Sequence, residues 1–239
     1  MAPFFPAFNA LFRNGHSTKE IDLGMQIDEV EKLDKKFFDD GFRMRFLYRY
    51  WGDGSYQAAW EPGSGAQFWI ATDDFDEFKS AEEKHAKKGL RFKYLHSSVG
   101  HYTAIWHPGS GNQFWKVNIS FEEFKAEDAK LKSQGLMLMQ MCDDGGKYSG
   151  FWQPGTKNYS WISTSKRDQF DEFTKENSDN GRLAVALGGE QFCAVYHETK
   201  GEQKFVFGIN EKGFKKKAEE LFKDNFHIAD FFMTAGENP

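Results

Sequence analysis

Residues 102–106, Tyr-Thr-Ala-Ile-Trp, decide the fold because closely related segments recur along the chain. Each copy places two large aromatic residues around a small one, and 46 residues separate Trp60 from Trp106 and Trp106 from Trp152. Self-similarity at such a period indicates a repeat architecture. The other four copies are residues 8–12, 56–60, 148–152 and 192–196.

Three further columns follow each aromatic at fixed spacing, so the repeat extends well beyond these segments. A large aromatic or apolar residue lies nine positions after the first aromatic, and a second lies nine positions after that one. A glycine or asparagine follows eleven positions after the second. All five copies align without a gap over this span. The columns are Phe12, Trp60, Trp106, Trp152, Tyr196; Ile21, Trp69, Trp115, Trp161, Phe205; Val30, Phe78, Phe124, Phe170, Phe214; and Gly41, Gly89, Gly135, Gly181, Asn225.

The second copy predicts the secondary structure of one module. Residues 75–88 have apolar residues at helical spacing, and Gly89 is a typical helix terminator. Residues 90–94 alternate apolar and charged side chains, as half-buried strands do. Residues 102–106 form a second strand, and a Pro-Gly-Ser-Gly turn leads to a third over residues 112–117. The module is therefore a helix followed by three antiparallel strands.

The two ends of the chain are complementary parts of one module. Residues 226–231 are a first strand with no second strand after them, whereas residues 8–21 are a second and a third strand with no first. We therefore expect an α+β repeat protein in which the N-terminal strands complete the last module and close a pseudo-five-fold ring without open sheet edges. Residues 1–239 then form a single domain, with module boundaries near Gly41, Gly89, Gly135, Gly181 and Asn225.

Composition and charge exclude several classes of protein. The net charge is −5 and the isoelectric point about 5.8, so a nucleic-acid footprint of clustered Lys/Arg is not expected, and the short basic run at residues 215–217 is interpreted as a solvated helix face. No apolar run reaches the roughly 20 residues of a membrane helix. Cys142 and Cys193 occupy different repeat positions and are expected to be buried and unpaired. We therefore expect a monomer that binds neither nucleic acid nor membrane.

The N-terminus carries no targeting signal that we can identify. It reads Met-Ala-Pro-Phe-Phe-Pro, without a basic segment or a long apolar run. The expected location is the cytoplasm, or outside the cell if a signal peptide has been removed.

Catalytic and metal-binding motifs are not found. The chain has no G-x-S-x-G, no S-x-x-K, no P-loop and no G-x-G-x-x-G. His96, His101 and His107 are close in sequence, but the expected hairpin places Phe92 opposite His107, and the spacing is not that of a zinc site. We predict no catalytic residue, no metal and no cofactor.

The residue after each column aromatic is polar in every copy, yet its chemistry varies. If these side chains face the ring axis, they form the polar end of a ligand pocket. If they face outward, they are surface residues beside a turn. These candidate ligand-binding residues are Arg13, Glu61, His107, Gln153 and His197.

Two other columns are interpreted as packing positions. The large-small-large face of the second strand, kept in all copies, favours a core packed beneath the module's helix. Equivalent residues of the first strands supply either an apolar pocket lining or more core: Leu47, Leu95, Met141, Leu187 and Phe231.

The repeat unit resembles a known family. Residues 86–92, then 102–106, Trp115 and residues 121–135 are similar to the bacterial tandem-repeat family, whose repeats occupy the N-terminal half of polyglycine hydrolases and related β-lactamase-like serine hydrolases. The resemblance implies a module for target or substrate recognition. The hydrolase half has no counterpart here, so the resemblance assigns no catalytic residue.

Two functions are consistent with these observations. The first is a non-catalytic protein that binds a glycan or peptide in repeated aromatic grooves. This function predicts exposed equivalent aromatics in several copies, and full burial of Trp60, Trp106 and Trp152 would count against it. The second is a single pocket at the ring axis for a small hydrophobic or coloured molecule, either bound or acted on by an enzyme such as an oxidase or luciferase.

Overall fold

The structure, a computed structural model, describes residues 6–14, 20–50, 52–98, 100–188 and 191–235. These residues form five α-helices of equal length, each in a different copy of the repeat. The predicted helix over residues 75–88 is confirmed, apart from its last residue. The helices are α1 (Ile27–Asp39), α2 (Phe75–Lys87), α3 (Phe121–Ser133), α4 (Arg167–Asp179) and α5 (Glu211–Lys223).

The strands fall into three groups by their position after a helix. The first strands are β3 (Phe42–Arg49), β6 (Leu90–Ser98), β9 (Leu136–Asp144), β12 (Arg182–Gly188) and β15 (Phe226–Ala235). The second strands are β4 (Tyr56–Pro62), β7 (His101–Pro108), β10 (Lys147–Pro154), β13 (Phe192–Glu198) and, from the N-terminus, β1 (Pro6–Asn14). The third strands are β5 (Phe68–Thr72), β8 (Phe114–Ser120), β11 (Tyr159–Thr164), β14 (Gln203–Ile209) and β2 (Glu20–Met25).

The strands form five three-stranded antiparallel sheets, each with a second strand in the middle. In each sheet, the third strand precedes the helix that packs on that sheet. For example, β8 lies directly before α3 in the chain and pairs with β10, which follows α3, and not with β7. The Pro-Gly turn after β7 therefore connects one sheet to the next. The sheet orders are β2-β4-β3, β5-β7-β6, β8-β10-β9, β11-β13-β12 and β14-β1-β15.

The N-terminal strand β1 lies between two strands from the C-terminal part of the chain. Leu11, for example, pairs with Phe205 on β14 and with Asp230 on β15. Neighbouring sheets also contact one another through their first strands. β3 contacts β6, β6 contacts β9, β9 contacts β12, β12 contacts β15, and β15 contacts β3.

The helix ends follow the predicted signals. Asp74 precedes α2, and its side chain accepts hydrogen bonds from the main-chain N–H groups of Asp76 and Glu77. After the helix, Gly89 has a φ of 77° and the equivalent Asn225 has a φ of 61°. Only glycine and a few short polar residues adopt this left-handed conformation readily, so the fourth column is glycine or asparagine for a backbone reason.

The large-small-large face of each second strand packs beneath its helix, as predicted. Phe124 of α3 lies over Gly150, where an added Cβ would be 3.0 Å from the Phe124 ring and 2.6 Å from the carbonyl oxygen of Gln140. Phe78 of α2 stacks on Tyr102 with ring centroids 5.3 Å apart. The small residue is thus required by the close approach of the helix phenylalanine.

The column of candidate lining or core residues belongs to this same helix-facing layer. Leu47 pairs with Ala58 and Leu95 with Ala104, and all five members of the column are buried. The sequence predicts that these residues form either a pocket lining or part of the packed core, and the structure supports the packed core. Cys142 and Cys193 are also buried and free, as predicted.

No helix within the described ranges has both the length and the apolar character needed to cross a membrane. The expectation about the N-terminal signal concerns residues 1–5, which lie outside the described part of the chain.

Candidate functional site

Every first strand contains a β-bulge four residues after the helix-ending glycine or asparagine. In β3 the pairing with β4 shifts between Met44 and Phe46, which leaves Arg45 unpaired. A bulge breaks the strict alternation of faces and re-aims the side chain it carries. The five bulged residues are Arg45, Lys93, Met139, Val185 and Ala229.

The bulged residues surround a cavity of about 430 Å³, which we call the shared cavity because all five sheets line it. The residue after each bulge also lines it, so that two successive side chains of the same strand lie on one side. Exposed Pro108 and Gly109 stand at its mouth. The residues after the bulges are Phe46, Tyr94, Gln140, Ala186 and Asp230, all of them buried.

The structure brings four of the five candidate residues together on the shared cavity. Arg13, His107, Gln153 and His197 line it. Glu61 does not, but its carboxylate lies behind two lining cations, Arg45 and Lys93. All five candidates are buried or half-buried.

Three of these side chains also join neighbouring repeats. Gln153 Nε2 donates to the carbonyl oxygen of Phe92 at 2.8 Å, and His197 Nε2 donates to that of Leu138 at 2.7 Å. The ring of His107 lies beside the main chain of Met44, the equivalent residue of the first repeat. Each contact reaches the residue just before a bulge, so the column fixes the geometry of the cavity as well as lining it.

The register at His107 differs from the expected hairpin. His107 pairs with Arg91, and Phe92 pairs with Trp106, so the expected pairing of Phe92 with His107 is wrong. Burial and the nearby Lys93 charge lower the pKa of His107 to about 4. The ring is therefore neutral at neutral pH.

Glu61 is the acidic centre of an ion-pair cluster beside the cavity. Its carboxylate oxygens lie 2.7 Å from Arg45 Nη1 and 3.1 Å from Lys93 Nζ. Burial raises the pKa of Glu61, but the charges of Arg45 and Lys93 outweigh this and hold the pKa at about 2. One carboxylate thus serves two cations.

Arg13 has no carboxylate partner among the residues that the structure describes. Its Nη2 donates weakly to Thr199 Oγ1 at 3.4 Å, and its buried Nε has no hydrogen-bond partner among the described residues. Burial, with a smaller contribution from the Arg45 charge, lowers the pKa of Arg13. Arg13 is therefore a partly desolvated cation with unused donors at the cavity wall.

Asp230 lies buried at the base of the cavity. Its carboxylate accepts hydrogen bonds from the main-chain N–H of Leu187 at 2.8 Å and from its neighbour Phe231 at 2.9 Å. Burial raises the pKa of Asp230 to about 7, against the opposing effect of these two donors. The group is thus partly protonated near neutral pH.

The sequence interpretation missed the bulged residues. Arg91 and Lys93 alternate with apolar residues, which predicts a solvent-facing side for both. The available signal is variation: the bulged column changes from arginine and lysine to methionine, valine and alanine, while the residue before it stays apolar in every copy. Such variation within a repeat marks positions that packing does not dictate.

The tryptophans of the second strands offer no binding faces. Trp60, Trp106 and Trp152 are all 0% exposed. The indole N–H of Trp60 donates to Asp34 at 2.9 Å and that of Trp152 donates to Asp128 at 2.8 Å, both acceptors being helix residues. These tryptophans hold helix and sheet together.

The helix partner changes together with the column aromatic. Tyr196, which replaces tryptophan, shares a hydrogen bond of 2.6 Å with the hydroxyl of Thr174, the residue equivalent to Asp34. Phe12, which has no polar atom, belongs to the repeat with Ala218 at this helix position. Matching of the two columns agrees with a structural role.

A second cavity, of about 360 Å³, lies near the β3–β4 and β6–β7 turns. His101 lines it, with Nδ1 2.6 Å from the Asp73 carboxylate and Nε2 3.3 Å from the Tyr56 hydroxyl. Its described lining comes from only two repeats, so it has none of the five-sheet character of the shared cavity.

Among the described residues, no group of three or more His, Cys, Asp and Glu side chains is arranged to hold a metal ion. The resemblance to the bacterial tandem-repeat family stays a prediction. In comparisons with protein-family models, curated proteins and solved structures, no match to this chain is found.

Proposed function

We propose that this chain binds one small molecule in the shared cavity, and that its five sheets form a closed pseudo-five-fold ring around that molecule. The observation that carries the proposal is the bulged column. Each repeat sends an equivalent side chain to one cavity, but the five side chains differ in charge and size. Such an arrangement is suited to a single asymmetric binding site.

Ring closure is supported by strand pairing and by the order of contacts. β1 provides the middle strand of a sheet whose other strands come from the end of the chain. The first strands contact each other in sequence order, with β15 also against β3. In an open array of repeats, the first and last modules have no such contact.

The closed ring makes a prediction about distances between helices. Spin labels on cysteines at Lys35 (α1) and Glu219 (α5) are expected to be as close as labels at Lys35 and Glu83 (α2), since all three positions are equivalent and exposed. Pulsed electron paramagnetic resonance measures both distances, and the native cysteines are buried. A much longer α1–α5 distance would show an open arc.

A single cavity is favoured over repeated aromatic grooves by the burial of the tryptophans. Grooves for a glycan or peptide need exposed ring faces, and Trp60, Trp106 and Trp152 expose none.

Blocking the cavity tests the proposed function. We expect N-phenyl-1-naphthylamine, a neutral fluorescent probe, to bind the wild-type protein with a stoichiometry of one. Val185→Trp places a large ring in the cavity and is expected to abolish binding. Val185→Ala is the matched control, because alanine is the native residue at the equivalent Ala229 and leaves the cavity open.

Fluorescence titration, with circular dichroism to verify folding, gives the readout. Equal binding by the wild-type and Val185→Trp proteins would contradict the proposal. Independently of the probe, native mass spectrometry and an absorption spectrum of protein purified from its source would detect a naturally bound molecule.

A further inference from the structure

The shared cavity is electrically asymmetric. Two of its bulged residues, Arg45 and Lys93, are cationic, and Arg13 lies near enough to Arg45 for their charges to interact. The remaining bulged residues are apolar: Met139, Val185 and Ala229. One side of the cavity is thus positively charged and another side apolar, in a chain whose overall charge is −5.

The positive charge of this cavity is only partly neutralised by the protein. Glu61 serves both Arg45 and Lys93, and Arg45 also donates from Nε to the carbonyl oxygen of Ala229 at 2.7 Å. Asp230, the lining acid, directs both carboxylate oxygens to main-chain N–H groups. Arg13 makes no ion pair with any described carboxylate, so among these three cations it is the one without an acidic partner.

A fourth lining cation, Arg91, is committed to the fold. Its Nε donates to Gly111 at 2.6 Å, and its Nη1 donates to the carbonyl oxygens of Ala86 and Leu90. Arg43 makes the same set of contacts in the first repeat. Arg91 therefore fastens the turn between sheets, and the free donor capacity of the cavity belongs to Arg13.

Burying a cation without a partner is costly, and a guanidinium binds oxyanions through paired N–H groups. An anionic group in the cavity would supply the missing charge and would accept hydrogen bonds from the terminal N–H groups of Arg13, whose only hydrogen bond among the described residues is the 3.4 Å bond to Thr199. The apolar bulged side chains would at the same time cover a hydrocarbon portion of the same molecule.

We propose that the ligand of the shared cavity is a small organic anion, whose oxyanion head group binds Arg13 beside Arg45 and whose apolar body lies against Met139, Val185 and Ala229. This proposal rests on the proposed function and narrows it to one chemical class. Arg13 and the apolar bulged residues then divide recognition between head group and body.

A pair of matched probes tests the proposal. 8-Anilinonaphthalene-1-sulfonate is the sulfonated counterpart of neutral N-phenyl-1-naphthylamine, so the ratio of their dissociation constants isolates the effect of the anionic group. In the wild-type protein, we expect the anionic probe to bind at least about tenfold more tightly, the effect of one charge-assisted hydrogen bond.

Substitution of Arg13 is expected to remove this preference. In Arg13→Gln, the two probes should bind within about twofold of each other because the anionic probe loses its partner. Arg13→Lys should restore part of the preference through its charge. Arg182→Gln removes a half-buried arginine outside the cavity and is expected to change neither affinity.

The outcomes separate the two proposals. Equal affinities of the wild-type protein for both probes, or an unchanged ratio in Arg13→Gln, would overturn the anion proposal while leaving single-site binding intact. If Val185→Trp binds both probes as the wild type does, the proposed function itself fails. Thermal unfolding of each variant verifies that the compared proteins are folded.

Discussion

Replacing Asp128 with alanine is expected to lower the free energy of unfolding by at least about 3 kcal/mol. The Asp128 carboxylate accepts hydrogen bonds at 2.8 Å from the indoles of Trp152 and Trp161 and from the Tyr159 hydroxyl. Alanine leaves three donors without this acceptor, and each unsatisfied buried donor costs about 1 to 3 kcal/mol. Urea unfolding followed by tryptophan fluorescence measures the loss.

Two variants serve as controls for this prediction. Asp128→Asn keeps one carbonyl oxygen and is expected to lose less stability than the alanine variant. Glu122→Ala removes an exposed carboxylate from the same helix and should change stability by less than about 0.5 kcal/mol. A loss below about 1 kcal/mol for Asp128→Ala would mean that the carboxylate does not anchor these donors.

Asp230 is expected to make the protein less stable as the pH rises from about 4 to about 7. Its pKa is about 7 in the folded protein and near 3.9 in an unfolded chain, so the folded state binds the proton more tightly over that interval. The proton on Asp230 therefore stabilises the folded protein fully below the pKa that this group has in the unfolded chain. The stabilisation is lost as the pH rises past the pKa of Asp230 in the folded protein. Its full size is about 4 kcal/mol.

The comparison with Asp230→Asn isolates this effect. Buried His96 and His107, with pKa values lowered mainly by burial to about 3 and about 4, act in the opposite direction, since the unfolded chain binds their protons up to about pH 6.5. Their contribution is common to both proteins and cancels in the difference. We expect urea-derived stabilities of wild type and variant to diverge by about 1.4 kcal/mol per pH unit between pH 4 and 7.

The loss of an acceptor in Asp230→Asn displaces the whole curve but does not change its slope. Parallel pH profiles for the two proteins would show that Asp230 does not titrate in this range.

The sequence predicts those features of the fold that are the same in every copy. The helix, its glycine or asparagine terminator and the large-small-large strand recur because each repeat packs its helix in the same way. Phe124 over Gly150 is one instance of that packing. The length of the repeat is visible in the sequence, but the grouping of strands into sheets is not. No local sequence signal indicates that β8 pairs with β10 and not with β7.

The candidate site is predictable only in part. The variable polar column is identified from sequence, and four of its members lie on the shared cavity. Arg45 and Lys93 are missed because a bulge depends on pairing with another strand, which the alternation rule does not include. Glu61 is identified, but its role as the partner of those two cations follows only from their positions.

The bulges separate the residues that pack beneath the helices from the residues that line the shared cavity. The helix-facing layer of each sheet stays the same while the bulged side chain ranges from Ala229 to Arg45. Five positions, one per repeat, therefore differ in charge and size although the helix-facing layer is conserved among the copies. Duplication of a single repeat followed by divergence at these positions is a direct evolutionary route to new specificities, and a library built on them is its laboratory equivalent.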